Sequence, residues 1–256
     1  MSGSHLSGVD GLYVGRQSPV HRLAPEVKVA SLAVFVLLVA LTPRRSVLAF
    51  LCDGLAIVGV CALARLPFRR VLKRLAVVLP FVAFSFALPF IGGGDKTIVF
   101  GLHLSSDGLW STWNICAKAV IGATASIVLS STTRVPDMLT GLSRLKVPRI
   151  LVAIISFMVR YLDLLSAQLG RMRTSMVARC HDPRWLWQVK PIASSAGALF
   201  VRSYERGERI HQAMLARGYD GTMRELSTPQ AAGHMWFSAT CVPLVALVGL
   251  VGSVMR

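Results

Sequence analysis

The sequence predicts an all-α integral membrane protein of about five transmembrane helices, with a basic helical region on the cytoplasmic side. Composition is the first reason: the 256 residues are 54% hydrophobic and only 16% charged, with mean hydropathy +0.58, whereas soluble domains carry about 25% charge. Clustering is the second. Val27 to Leu41, Ser46 to Ala64, Leu75 to Ile91, Trp110 to Ser131 and Phe237 to Met255 are apolar runs with one charge or none, as membrane-crossing helices require. Charge placement is the third. The chain has 28 Lys and Arg against 12 Asp and Glu, a net +16, which in a soluble protein would suggest a nucleic-acid partner. Here five of the basic residues lie in Arg65 to Arg74 and fifteen between Arg134 and Arg224, while Gly92 to Leu109 holds only Lys96. That asymmetry is the mark of cytoplasmic loops, and it excludes a soluble enzyme and a nucleic-acid binder.

Taken in order, residues 1–25 form an N-terminal cytoplasmic tail. It is polar and runs into the first span without a small-residue cleavage site, so Val27 to Leu41 reads as a retained helix. Pro25 suits its first turn and Thr42-Pro43 ends it. The turn Arg44-Arg45 then falls outside, a local exception accepted because the opposite topology would put twenty basic residues outside. Leu75 to Ile91 contains Pro80 and Pro89 and should kink. Gly92-Gly93-Gly94-Asp95-Lys96-Thr97 fails the phosphate-loop pattern and reads as an outer loop. Residues 26–133 are thus transmembrane helices 1–4, residues 134–235 a cytoplasmic region whose segment 150–165 is apolar enough to enter the membrane, and residues 236–256 the final span. Ser105 is expected outside and Ser194 inside.

The region from 134 to 235 carries apolar residues at helical spacing. Val135-Pro136-Asp137 opens a short amphipathic helix that stops before Lys146-Val147-Pro148. Pro148 starts a long helix whose stripe Leu165, Leu169, Met172, Met176 runs to Ala178-Arg179. A second helix runs from Pro191 through Met214 to Ala216-Arg217-Gly218. Gly218 reads as a left-handed helix stop with Arg217 at the negative helix end; Cys180 at the equivalent place would be strained. Each arginine is either a plain surface cap or a projecting contact. The methionine faces suit either a moving partner or packing between the two helices. Arg160 with Asp163, and Glu205 with Arg209, are expected to pair. Asp53 and Lys118, inside spans, must face protein or water. Gly122, Ala123, Ala125, Ser126, Gly249 and Ser253 would allow close helix approach. The five cysteines show no CxxC and the six histidines no ligand spacing, so neither a catalytic residue, a metal site nor a cofactor is expected on this chain.

Several of these stretches resemble a known family. Ser18-Pro19-Val20-His21-Arg22-Leu23 followed by Pro25 and Lys28, Thr132 to Pro136, Leu145 to Pro148, Arg160-Tyr161-Leu162, Arg202-Ser203-Tyr204-Glu205-Arg206, and Ala213 to Gly221 are similar to the transmembrane T component of energy-coupling-factor (ECF) transporters, cobalt subfamily. The similarity covers about residues 18 to 254. It implies a non-catalytic subunit of an ATP-driven importer in the cell membrane. Its two cytoplasmic coupling helices would dock into two ABC-type ATPase subunits and transmit their motion to a separate substrate-binding membrane subunit. The coupling residues implied are Ala178, Arg179 and Cys180, and Ala216, Arg217 and Gly218; Cys180 departs from the family's glycine, and Ala24 stands where the family often has Asp. Cobalt is the substrate implied, with nickel or a vitamin as alternatives. The rival classes are a self-contained permease, for which only Asp53 and Lys118 could line a path, and a membrane-embedded enzyme, for which no nucleophile and base are found.

Overall fold

Proline and small polar residues punctuate the apolar runs into helices, and the chain between them packs as two separate units. The computed structural model describes residues 13, 15, 18–87, 89, 96–99, 102–180, 190–221 and 233–254. One unit comprises Leu12–Leu145 with Pro229–Arg256; the other comprises Met1–Gly11 with Lys146–Thr228.

The first unit opens with a single turn, α1 (Pro19–Arg22), whose His21 N–H is capped by Ser18 Oγ at 3.4 Å. In α2 (Pro25–Leu41) proline occupies the first turn, and Ala24 supplies no side-chain cap, the deficit expected from the sequence. The helix ends at Thr42, whose Oγ1 donates to Leu38 O at 3.1 Å. α3 (Val47–Leu63) ends with Arg65 in the left-handed region at φ 52°. There Arg65 N–H bonds to Ala62 O and Leu66 N–H to Cys61 O, the paired closure of a Schellman cap.

The third run departs from the reading of one kinked span. A basic helix, α4 (Phe68–Leu75), passes through one 3-10 turn at Ala76–Val78 into a short α5 (Leu79–Ser85). Pro80, lacking an N–H, sits in the first turn of α5, so the kink becomes a break. A second departure follows: Lys96–Val99 (β1) and Leu102–Ser105 (β2) pair antiparallel, with Lys96 opposite Ser105 and Val99 opposite Leu102. Lys96 and Thr97 are therefore strand, not loop, whereas residues 92–95 lie outside the described residues. This hairpin is a small addition to an otherwise all-α architecture.

α6 (Ser106–Thr132) is capped by Ser105, whose Oγ accepts from Gly108 N at 3.3 Å. Ser105 is buried in that role. α7 (Val135–Arg144) and α10 (Gly233–Val254), with Pro243 inside it, complete the unit. Its core is where four helices meet: Phe35 and Val39 of α2, Phe50 and Ile57 of α3, Ile121 and Ala125 of α6, and Ala246 of α10. Large apolar side chains such as Leu55, Val58, Phe84, Phe237 and Val248 point outward, the inverse of a soluble surface and what a hydrocarbon solvent permits. Of the small residues, Gly249 lies against Ala49, while Gly122 has nothing within 4 Å of where a Cβ would sit.

Two polar contacts tie the unit together, and one buried acid stands apart from them. Lys118 Nζ donates to Ala40 O at 2.7 Å. Arg144 and Glu26 form an ion pair at 2.9 Å. At that crossing Gly141 lies so near α2 that an added Cβ would stand 2.9 Å from Glu26 N and 3.0 Å from Pro25 C. Asp53 is 0% exposed, and neither carboxylate oxygen has a hydrogen-bond partner among the described residues.

The second unit holds α8 (Arg149–Ala178) and α9 (Lys190–Leu215). α8 has no buried residue. Together with 106–132 and 235–253 it is long and apolar enough to cross a membrane; Val47–Leu63 is apolar but shorter. The sequence reading confined that property to 150–165. Among the described residues Arg160 and Asp163 do not form the expected ion pair. Glu205 and Arg209 do pair, at 3.9 Å and well exposed.

Candidate functional site

Both helices of the second unit end in Ala-Arg followed by a left-handed residue, and the hydrogen bonds explain why the arginines project. In α9, Gly218 has φ 79°. Its N–H bonds to Leu215 O at 2.9 Å and the Tyr219 N–H to Met214 O at 3.0 Å, a complete Schellman closure that puts Arg217 at the C-cap. In α8, Arg179 is the C-cap, with φ −93° and ψ 20°. Cys180 takes φ 59°, and its N–H reaches Val177 O at 2.9 Å. The cysteine thus adopts the glycine conformation with a Cβ in place, at a cost of about 1–2 kcal/mol. Arg179 and Arg217 are exposed, and neither has a carboxylate within ion-pair distance among the described residues.

The methionines pack inward. Met172 lies in a cleft with Arg202 and Arg206, and Met176 Sδ accepts from Ser195 Oγ at 3.6 Å. Met172 and Met176 therefore serve the contact between α8 and α9; Met214 is half-buried. These contacts set the geometry of the tips. Arg179 lies three residues past Met176, about 5 Å of helix rise, whereas Arg217 lies eleven residues past Arg206, about 16 Å. Arg179 therefore lies nearer along its helix to these contacts than Arg217 does.

Sequence reading missed the cleft itself. Gln168, Arg171, Met172, Ser175, Arg202 and Arg206 line an open cleft of about 340 Å³ with three guanidinium groups and no carboxylate. Arg202 and Arg206 belong to a recognised motif, but Arg171 is four residues behind Ser175 on another helix, and no linear signal joins them. Among the described residues no three His, Cys, Asp or Glu side chains come together as a metal site would need.

A helix bundle with an apolar surface, in a chain that also carries two helices ending in exposed arginines, defines a membrane protein. Residues 16–228 match the family model CbiQ, cobalt transport protein, and the chain belongs to that family. It is 29% identical over 229 residues to the energy-coupling factor transporter transmembrane protein EcfT of Bacillus subtilis, covering 84% of this chain and 86% of that one. It is also 29% identical to the cobalt transport protein CbiQ of Rhodobacter capsulatus, over 67% of this chain and 69% of its relative. The nickel permease LarQ of Lactiplantibacillus plantarum is 28% identical, over 78% and 67% respectively.

Proposed function

We propose that this protein is the T subunit of an ECF-type ABC importer, joining two ATPase subunits to a substrate-binding membrane subunit for uptake of cobalt. The observation that carries the reading is the pair of exposed C-cap arginines, each fixed by a closed helix end and each lacking an internal acid. A guanidinium held this way offers a planar, two-pronged donor to a carboxylate on the ATPase. When the ATPases close on ATP, rigid helices anchored through Arg179 and Arg217 would be displaced, and the displacement would pass to the membrane partner. The N-terminus and the second unit's helix tips lie on the cytoplasmic side in this scheme, as the charge distribution favours. ATP hydrolysis belongs to the partners, and the chain contributes no catalytic residue.

Cobalt is favoured by the family matched and by the Rhodobacter relative. Nickel is the second reading, on account of the resemblance to LarQ. Co-expression with candidate ATPase and substrate-binding subunits tests the scheme. A stable complex should purify, and ⁵⁷Co²⁺ uptake in vesicles should need every subunit and ATP, with Ni²⁺ competing poorly. Uptake by the chain alone would instead establish a self-contained permease.

A further inference from the structure

At the basic end of the first unit, where α2 and α10 begin and α3 and α6 finish, the helices do not close. An apolar slot of about 240 Å³ runs between them, walled by residues such as Leu32, Phe35, Val60, Val128 and Val242. It adjoins a wider, more polar mouth of about 420 Å³ that carries Arg22 and Arg65, and the two share Pro19, Leu23 and Ser238. No Asp or Glu lines either. The slot's one charged wall residue is Lys28, only 8% exposed. Its Nζ donates to His21 O at 3.2 Å and to Thr132 O at 3.3 Å. An ammonium carries three donors, and among the described residues the third has no acceptor.

An apolar slot, a buried cation with a donor to spare and a doubly basic mouth match one chemistry: a hydrocarbon chain attached to a phosphate. Basic pockets between membrane helices on the cytoplasmic side select anionic headgroups for this reason. We propose that the slot and mouth bind one anionic phospholipid, an acyl chain in the slot and the phosphate at Arg22 and Arg65, with Lys28 donating to an oxygen of the headgroup region. The lipid would come from the leaflet that the basic end faces.

The test is native mass spectrometry of the full chain in mild detergent, titrated in turn with dioleoyl-phosphatidylglycerol, dioleoyl-phosphatidylcholine and glycerol 3-phosphate. One phosphatidylglycerol should be retained per chain, at least tenfold more tightly than phosphatidylcholine, and glycerol 3-phosphate should not bind. Ser238→Trp, which plugs the neck from an exposed position on α10, should weaken the first phosphatidylglycerol at least tenfold. Val248→Trp, elsewhere on the same helix, should not. Arg22→Gln should reduce phosphatidylglycerol binding severalfold while leaving phosphatidylcholine unchanged, and it carries the charge test if the tryptophan variant loses helical content by circular dichroism. Equal retention of the two lipids, tight binding of glycerol 3-phosphate, or wild-type affinity in folded Ser238→Trp or Arg22→Gln would overturn the proposal.

Discussion

Arg217 and Cys180 show how much a single side chain at a helix end decides. The backbone at Arg217 is fixed by the two hydrogen bonds that close the helix end, so the base of its side chain is held while the guanidinium stays free to turn. If it meets a buried carboxylate of an ATPase, Arg217→Ala should cost about 2–5 kcal/mol of association, because the acid is left unpaired. Co-purification and ATP-driven uptake should fall together while membrane insertion is unchanged. Arg217→Lys should rescue poorly, since a point charge does not reproduce the planar fork. Arg179→Ala should act in the same direction, and two single variants with wild-type assembly and transport would reduce both arginines to plain caps. Cys180 predicts the opposite kind of change. Its φ of 59° strains a residue with a Cβ, so Cys180→Gly should raise unfolding stability by about 1 kcal/mol, read as a higher midpoint in detergent. Both helix endings were legible in the sequence, because Ala-Arg-Gly carries its own conformational instruction and the cysteine could be seen to break it. Whether Met172 and Met176 face the neighbouring helix or a partner was not, because a helical stripe does not say what covers it.

Among the elements, the crossing of α7 over the start of α2 is close enough that Gly141 lies against the backbone of α2. Gly141→Ala would drive a methyl into the backbone at Pro25 and Glu26 and should destabilise by about 1–3 kcal/mol through overpacking. Thermal unfolding in detergent should register the loss, and an unchanged midpoint would mean that α7 moves away freely. No linear pattern marked this glycine, since the contact joins residues 115 positions apart. Elements governed by local chemistry were easier to anticipate. Pro25 and Thr42-Pro43 set helix limits where expected, whereas Pro80 marks a break where a bend was expected. The hairpin at 96–105 escaped because two four-residue strands are too short for alternation to stand out. α8 was recognised as a helix, but its span-length apolar character was hidden by the Arg and Lys residues on both sides of it.

For the molecule as a whole, the unequal distribution of basic residues is the feature with the widest reach. In the first unit, Arg44 pairs with Asp107 at 3.5 Å at one end, while Arg74 bonds Ser131 at 2.6 Å and Lys28 bonds Thr132 at the other. The Arg44-Arg45 turn, which the charge rule leaves as an exception, is thereby partly neutralised by an acid from α6. Ser105 is buried as a cap and cannot report its side, so exposed Arg45 takes its place. In a cysteine-free background, Arg45→Cys should react with an impermeant maleimide on intact cells and Ser194→Cys only after permeabilisation; the reverse pattern would invert the topology. The fold class was legible from composition because lipid exposure leaves a signature in every helix, whereas the side a loop occupies rests on charge alone. The lengths of α2 and α3 bear on the bilayer itself. At seventeen residues each they rise about 26 Å, against a hydrocarbon core of about 30 Å, while α6, with twenty-seven residues, is more than long enough. If α2 and α3 cross the bilayer, thinning on their side would accommodate them, at a fraction of a kcal/mol for each ångström of mismatch. Reconstituted transport should therefore depend on acyl length, being fastest in short-chain bilayers and declining steadily from 14-carbon to 22-carbon monounsaturated lipids.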